Sequence, residues 1–146
     1  KDFHTLTTNP AVRFKPKSNL AGIDADITEK DGKYYLFQAD EGKSAICYAT
    51  ADKPGGPYYE PADNQISVAE VALEGNCTYK ILNENKYVLI ADQFRNGGYF
   101  MQESEDLLNW KAVDKSKISL DHLRPRHGSM LHITDEEYNR LVEYYK

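Results

Sequence analysis

The chain has 146 residues, enough for one ordinary domain core. Its net charge of −5, from 23 acidic against 18 basic residues with no basic stripe, removes the electrostatic case for a nucleic-acid partner. A hydrophobic content of 40% marks a folded chain, and no run approaches the roughly 18 apolar residues of a membrane span.

The chain opens on Lys1 and not on Met, which reads as a processed chain or a piece of something larger. Asp2-Phe3-His4-Thr5-Leu6 resembles Asp106-Leu107-Leu108-Asn109-Trp110, so residues 1–16 read as the end of a repeat. Val12-Arg13-Phe14 suggests a short strand stopped by Pro16. Residues 23–27 alternate apolar and acidic, a strand signal at period two. Residues 34–38 and 44–49 form a hairpin through Ala39-Asp40-Glu41-Gly42, and Lys53-Pro54-Gly55-Gly56-Pro57 is a loop. Further strands are expected over 77–82, 87–92 and 99–103, with Asn96-Gly97-Gly98 as a turn. A third unit begins near Trp110 with Lys111-Ala112-Val113 and includes a strand over 129–133. Thr134-Asp135-Glu136-Glu137 is a capping box, and Tyr138, Leu141, Val142 and Tyr145 then follow at helical spacing. That helix is expected to pack on the sheets. Cys47 and Cys77 fit no metal spacing and, lying in strands, read as buried free thiols. Asn76-Cys77-Thr78 matches a glycosylation pattern by chance, since it too falls in a strand.

One cassette occurs twice. Asp31-Gly32-Lys33-Tyr34-Tyr35-Leu36-Phe37 and Glu84-Asn85-Lys86-Tyr87-Val88-Leu89-Ile90 each read turn, then apolar strand, at a spacing of about 53. Downstream, Ala49-Thr50-Ala51-Asp52 aligns with Glu103-Ser104-Glu105-Asp106; upstream stand Ile23-Asp24 and Leu73-Glu74. A repeated module of two hairpins is the sequence form of a propeller blade. The expected fold is therefore all-β: a partial β-propeller of about three blades with a short C-terminal α-helix. Its segments are a blade end at 1–20, a blade at 21–65, a second at 66–110, and a last blade with the helix at 111–146. Closed propellers need roughly four to eight blades. An arc of three leaves open edges, which predicts self-association or blades missing on the N-terminal side.

A propeller turns the first strand of each blade toward its axis. Asp24 and Glu74, read as equivalent positions in adjacent repeats, are then expected to face one pocket, the arrangement glycoside hydrolysis requires. The alternative, that both are turn or solvent carboxylates, stays open on spacing alone. Asp26 points to the same strand face as Asp24 by alternation and competes for its role. Gly75 removes a side chain where a ligand or backbone approaches closely. Arg124-Pro125-Arg126-His127-Gly128-Ser129 packs donors into one segment, either a surface basic loop or a source of ligand and proton contacts from Arg126 and His127.

Taken in order, Ile23-Asp24-Ala25-Asp26-Ile27, the Asp31-Gly32-Lys33-Tyr34-Tyr35-Leu36 cassette, Leu73-Glu74-Gly75-Asn76, Arg126-His127-Gly128-Ser129 and Ile133-Thr134 with Glu137-Tyr138 resemble glycoside hydrolase family 43 over nearly the whole chain. The resemblance implies a five-bladed propeller that cleaves arabinose- or xylose-containing plant polysaccharides, as α-L-arabinofuranosidases and β-xylosidases do. It implies three carboxylates and inversion. Glu74 matches the general acid and Asp24 the residue that orients that acid and tunes its pKa; Asp26 and Arg126, beside them, are expected as substrate contacts. His127 matches a histidine near the axis that often holds an ion, commonly calcium; no cofactor is otherwise required. Asn76 departs from the usual Pro after Glu-Gly. No residue matches the first-blade general base, and Asp2, in a blade-end motif, is a poor candidate. The chain looks like the C-terminal half of such an enzyme, weak or inactive alone. The resemblance further implies a carbohydrate partner and a secreted or periplasmic location. The competing readings are a non-catalytic carbohydrate-binding or scaffold propeller fragment and a protein-interaction propeller.

Overall fold

The computed structural model describes residues 11–18, 20–120 and 126–146. Among them are two antiparallel sheets and one α-helix. The first sheet runs β1 (Gly22–Lys30), β2 (Lys33–Asp40) and β3 (Ala45–Ala51), each strand beside the next. The second runs β4 (Glu74–Lys80), β5 (Tyr87–Asp92), β6 (Tyr99–Ser104) and β7 (Lys111–Ala112) in the same way.

Local chemistry explains the meanders. Asp31 and Gly32 close β1 onto β2 with φ of 53° and 78°, the two positive values that a two-residue hairpin needs. In the second sheet the amides of Asn96 and Gly97 both bond the Gln93 carbonyl at 2.7 Å, tightening the β5–β6 turn. The exposed edge of β3 is covered by segment 59–66: Tyr48 donates to the Asn64 carbonyl, Thr50 and Tyr59 exchange amide bonds, and Ile66 donates to the Ile46 carbonyl. This segment borders the three-stranded sheet through isolated bridges, beside a second sheet of four strands. One outer edge is thus covered, and the other is the two-residue β7 carrying Lys111.

β2 and β5 are apolar on both faces because both faces are packed. Phe37 joins Ile46, Leu73, Leu89, Leu107 and Trp110 in the core between the sheets, while its neighbour Leu36 joins Ala49, Ala51 and Tyr58 on the opposite face. Trp110 meets Phe37 edge to face, with ring centroids 5.9 Å apart. The Ser104-x-Asp106 corner sets the Trp110 position. Ser104 Oγ accepts the Leu107 amide at 2.9 Å, and Asp106 Oδ1 accepts the Leu108 and Asn109 amides at 2.9 and 2.7 Å. Burial works against the Asp106 charge, but these donors, led by Asn109, outweigh it and hold the carboxyl well below the usual range. Cys47 and Cys77 are free thiols, and burial pushes Cys47 up to about 11.

Several sequence expectations change. Lys111 and Ala112 do not open a third unit; they pair with Glu103 and Gln102 as the fourth strand of the second sheet. Residues 129–133 and 12–14 form no strand, because neither finds a ladder partner among the described residues. The first strand of the second sheet starts at Glu74, three residues before the expected 77. The helix α1 (Asp135–Tyr144) forms with its capping box intact: Thr134 Oγ1 accepts the Glu137 amide, and Glu137 Oε2 accepts the Thr134 amide. It does not pack on the sheets; none of its residues is buried, and Tyr138 and Leu141 are about half exposed. Residues 1–10, with the repeat-end motif at Asp2, and the Arg124-Pro125 pair lie outside the described residues.

Candidate active site

The site is built at two matching irregularities. Between Ile23 and Asp26, β1 holds one residue more than β2, and between Glu74 and Cys77, β4 holds one more than β5. Each is a bulge whose first residue has positive φ: Asp24 at 54° and Gly75 at 58°. A glycine suits that conformation, while an aspartate accepts it at some cost, of the kind that functional positions retain. Ile23 pairs with Ala39 and Glu74 with Asp92. By register, therefore, Asp24 is equivalent to Gly75 and Ile23 to Glu74, a one-residue offset from the equivalence of Asp24 with Glu74 that the repeat suggests.

The bulges bring β1 and β4 together through side chain and backbone. Asp24 Oδ2 accepts the Gly75 amide at 2.8 Å, and Asp26 Oδ2 accepts the Thr78 amide at 2.6 Å. Both aspartates thus face β4. Burial raises the Asp26 carboxyl above its ordinary value, with the Thr78 bond opposing the shift. The missing side chain at Gly75 admits His127: a Cβ there would lie 2.7 Å from the imidazole ring. His127 Nε2 is 3.4 Å from Glu74 Oε1, and its Nδ1 is 3.9 Å from Asp24 Oδ1. One imidazole therefore stands between the two predicted catalytic carboxylates. Arg126 Nη2 donates to Glu74 Oε1 at 2.6 Å, and its Nε donates to Asp92 Oδ2. Asp92, then Glu74, hold the guanidinium more firmly protonated than usual.

All five predicted residues meet within this region, but not around one cavity. Asp24, Asp26 and His127 line a depression of about 310 Å³ with Gly75, Cys77 and Ser129. Glu74 lines a second, of about 240 Å³, with Asp40, Phe94 and Arg95. Asp24 and Glu74 border neighbouring depressions on either side of the His127 imidazole, one residue out of step in the register of their strands. Sequence reasoning missed Asp92 and Tyr99. Asp92 is fully buried, and its Oδ1 has no partner among the described residues. A carboxylate ending the apolar run Tyr87–Ala91 was the available signal. Tyr99 donates its hydroxyl to the His127 carbonyl, anchoring the loop that carries His127; nothing in the sequence separates it from the other tyrosines.

Glu74, Asp92 and His127 each offer a ligand atom, all within 4.8 Å of one another. Three ligand atoms would fill only part of a calcium shell, which takes roughly six to eight oxygens. Arg126 bonds both carboxylates in this arrangement, so a cation there has to displace it.

No curated protein matches the chain. Solved structures do. An α-L-arabinofuranosidase of Clostridium thermocellum superposes with a TM-score of 0.52 at 16% identity, over 63% of this chain and 34% of that one. An endo-arabinase of Bacteroides thetaiotaomicron gives 0.53 at 19%, over 69% and 39%. At these identities the likeness is one of fold, and this chain spans little more than a third of each neighbour. The family model described as "Probable glycosyl hydrolase domain", a group related to glycoside hydrolase family 43, matches residues 1–139, and the chain belongs to that family.

Proposed function

We propose that this chain forms part of the catalytic propeller of a glycoside hydrolase acting on arabinose- or xylose-containing saccharides. The observation that carries the reading is the convergence of Asp24, Glu74 and His127 on paired bulges of adjacent sheets. Two of its solved neighbours are described as an arabinofuranosidase and an endo-arabinase, which favours arabinose as the sugar. Glu74 is the general acid: it gives its proton to the leaving glycosidic oxygen. Its Oε1 now accepts a bond from Arg126, so an incoming substrate hydroxyl has to take over that donor before Glu74 can act. Asp24 is the orienting residue: through the Gly75 amide it fixes the backbone beside Glu74, and its Oδ1 stands 3.9 Å from the His127 imidazole that approaches Glu74. Asp26, its Oδ2 already taken by Thr78, serves the seam between the sheets more than the sugar.

The inverting mechanism needs a second carboxylate to activate water. In this reading it comes from blades outside the described residues, in a five-bladed ring. His127, Glu74 and Asp92 are the residues that would hold a calcium ion, which would supply positive charge there in place of Arg126. The site of action is outside the cytoplasm, where polysaccharide is met. A non-catalytic sugar-binding piece is the second reading, favoured by the Arg126 contact that occupies Glu74.

Hydrolysis of arabino- and xylo-oligosaccharides, whose alkoxide leaving groups need a general acid, tests the proposal on the propeller completed with its remaining blades. Turnover that falls about 10²- to 10⁴-fold in Glu74→Gln is the expected result. Turnover unchanged by Glu74→Gln, or saccharide binding without turnover, sinks the catalytic reading.

A further inference from the structure

We propose that the second depression, beside Glu74, is a saccharide subsite that seats one neutral sugar residue, with Phe94 as its stacking face and Glu41, Ser44 and Arg95 as its hydroxyl partners. The inference rests on the glycosidase reading of Glu74 and adds where a neighbouring sugar residue lies. The depression sits at the seam between the two sheets, walled by the turns that follow β2 and β5. Both turns lie at the same end of the sheets as the bulges, since Asp40 pairs with Gly22 and Asp92 with Glu74. A sugar bound there lies against Glu74, which forms part of its wall.

The lining selects the ligand class. Ile23, Ala39 and Leu73 contribute apolar surface, and Phe94 adds an aromatic ring. A sugar ring presents a C–H face to such a surface and hydroxyls at its rim. Three carboxylates, Asp40, Glu41 and Glu74, stand against one guanidinium, Arg95. That balance disfavours an anionic sugar or a phosphate. A polyol, by contrast, donates hydroxyls to the carboxylates and accepts from Arg95 and the Ser44 hydroxyl. A bare cation is disfavoured by Arg95, which packs 5.3 Å from the Phe94 ring centroid and belongs to the same wall. Asp40 supplies an independent sign. It is fully buried, its Oδ1 accepts the Gly42 amide at 2.8 Å, and its Oδ2 has no partner among the described residues. A volume of about 240 Å³ fits one ring better than the larger ligands of roughly 300–1,000 Å³ pockets. The walls are preformed, because Gln93 accepts two amides within its turn and Asp40 braces the other.

The test is a titration of the isotopically labelled chain with arabinotriose and with xylotriose, up to about 10 mM, read by amide chemical shifts. The expected result is saturable shifts at residues 41–44 and 93–98 together with Glu74 and Gly75. Phe94→Ala, at a half-exposed turn position, should weaken the apparent Kd about fivefold. Arg95→Ala should weaken it too, while leaving the shifts at Gly75 and His127 in place. Shifts confined to Gly75, His127 and their neighbours overturn the subsite and leave the Glu74 reading standing. Shifts nowhere, with either sugar, overturn both. Calcium chloride alone moving the same amides, with neither sugar doing so, reassigns the depression to a cation and overturns the proposal.

Discussion

Asp92 shows how one side chain changes the reading of its neighbours. It is fully buried, and its charged partner Arg126 is more than half exposed and shared with Glu74. Removing Arg126 leaves a buried carboxylate without its counter-charge, which costs more than the pair itself contributes. Arg126→Ala is therefore expected to lower the thermal midpoint, and adding Asp92→Asn to recover most of that loss, as a double-mutant cycle by calorimetry would show. Asp26 gives a prediction with a definite sign. Burial raises its folded pKa above the ordinary value of 3.8, so the folded state binds its proton more tightly than the unfolded chain does. Its charge then costs stability that is progressively lost as pH rises from near 3.8 through the folded pKa. Asp26→Asn keeps an oxygen for the Thr78 amide and removes that charge. The urea midpoint of the variant should exceed that of the native chain at pH 7 and match it at pH 3. A variant less stable at pH 7 would show that the charge is stabilising.

At the level of elements, α1 separates local from tertiary information. Its capping box and helical spacing are strictly local, and both are realised. The apolar stripe predicts a packing face, yet Leu141 is 49% exposed and no residue of the helix is buried. Amphipathic periodicity shows that a helix has two faces; it does not supply the surface that covers one. Leu141→Ala should thus change the unfolding free energy of the sheets by less than about 0.5 kcal/mol. The single tryptophan, Trp110, lies in the inter-sheet core and reports that transition by fluorescence. A larger effect would mean that the helix packs on the sheets in solution. The β7 strand carries the opposite lesson. Lys111-Ala112 looked like the start of something new because two residues carry no period, and only pairing with Gln102 and Glu103 assigned it.

At the scale of the whole molecule, the two sheets are held by the Phe37, Ile46, Leu73, Leu89, Leu107 and Trp110 core. Phe37 is fully buried and meets Trp110 edge to face. Phe37→Ala is expected to cost about 3–5 kcal/mol in urea unfolding, a large part of a typical domain's stability. A cost below about 1 kcal/mol would mean that the sheets do not share this core. The sequence by itself determined the hairpins, the repeat of about 53 residues, the Ser104-x-Asp106 corner and the helix cap. Apart from the repeat, which is read by comparing distant segments, each depends on residues a few positions apart: the positive φ of Asp31-Gly32, the apolar runs of β2 and β5, the hydroxyl of Thr134. It also brought forward Asp24, Glu74 and His127, which the fold does gather. Only the tertiary structure decided the one-residue offset between Asp24 and Glu74. A bulge is a mismatch between two strands, and neither strand records it alone. Only the tertiary structure placed Asp92 under Arg126, 34 residues away, and set Tyr99 against the His127 carbonyl. Those contacts depend on which sheet faces which loop, and that is decided by the packing of the core.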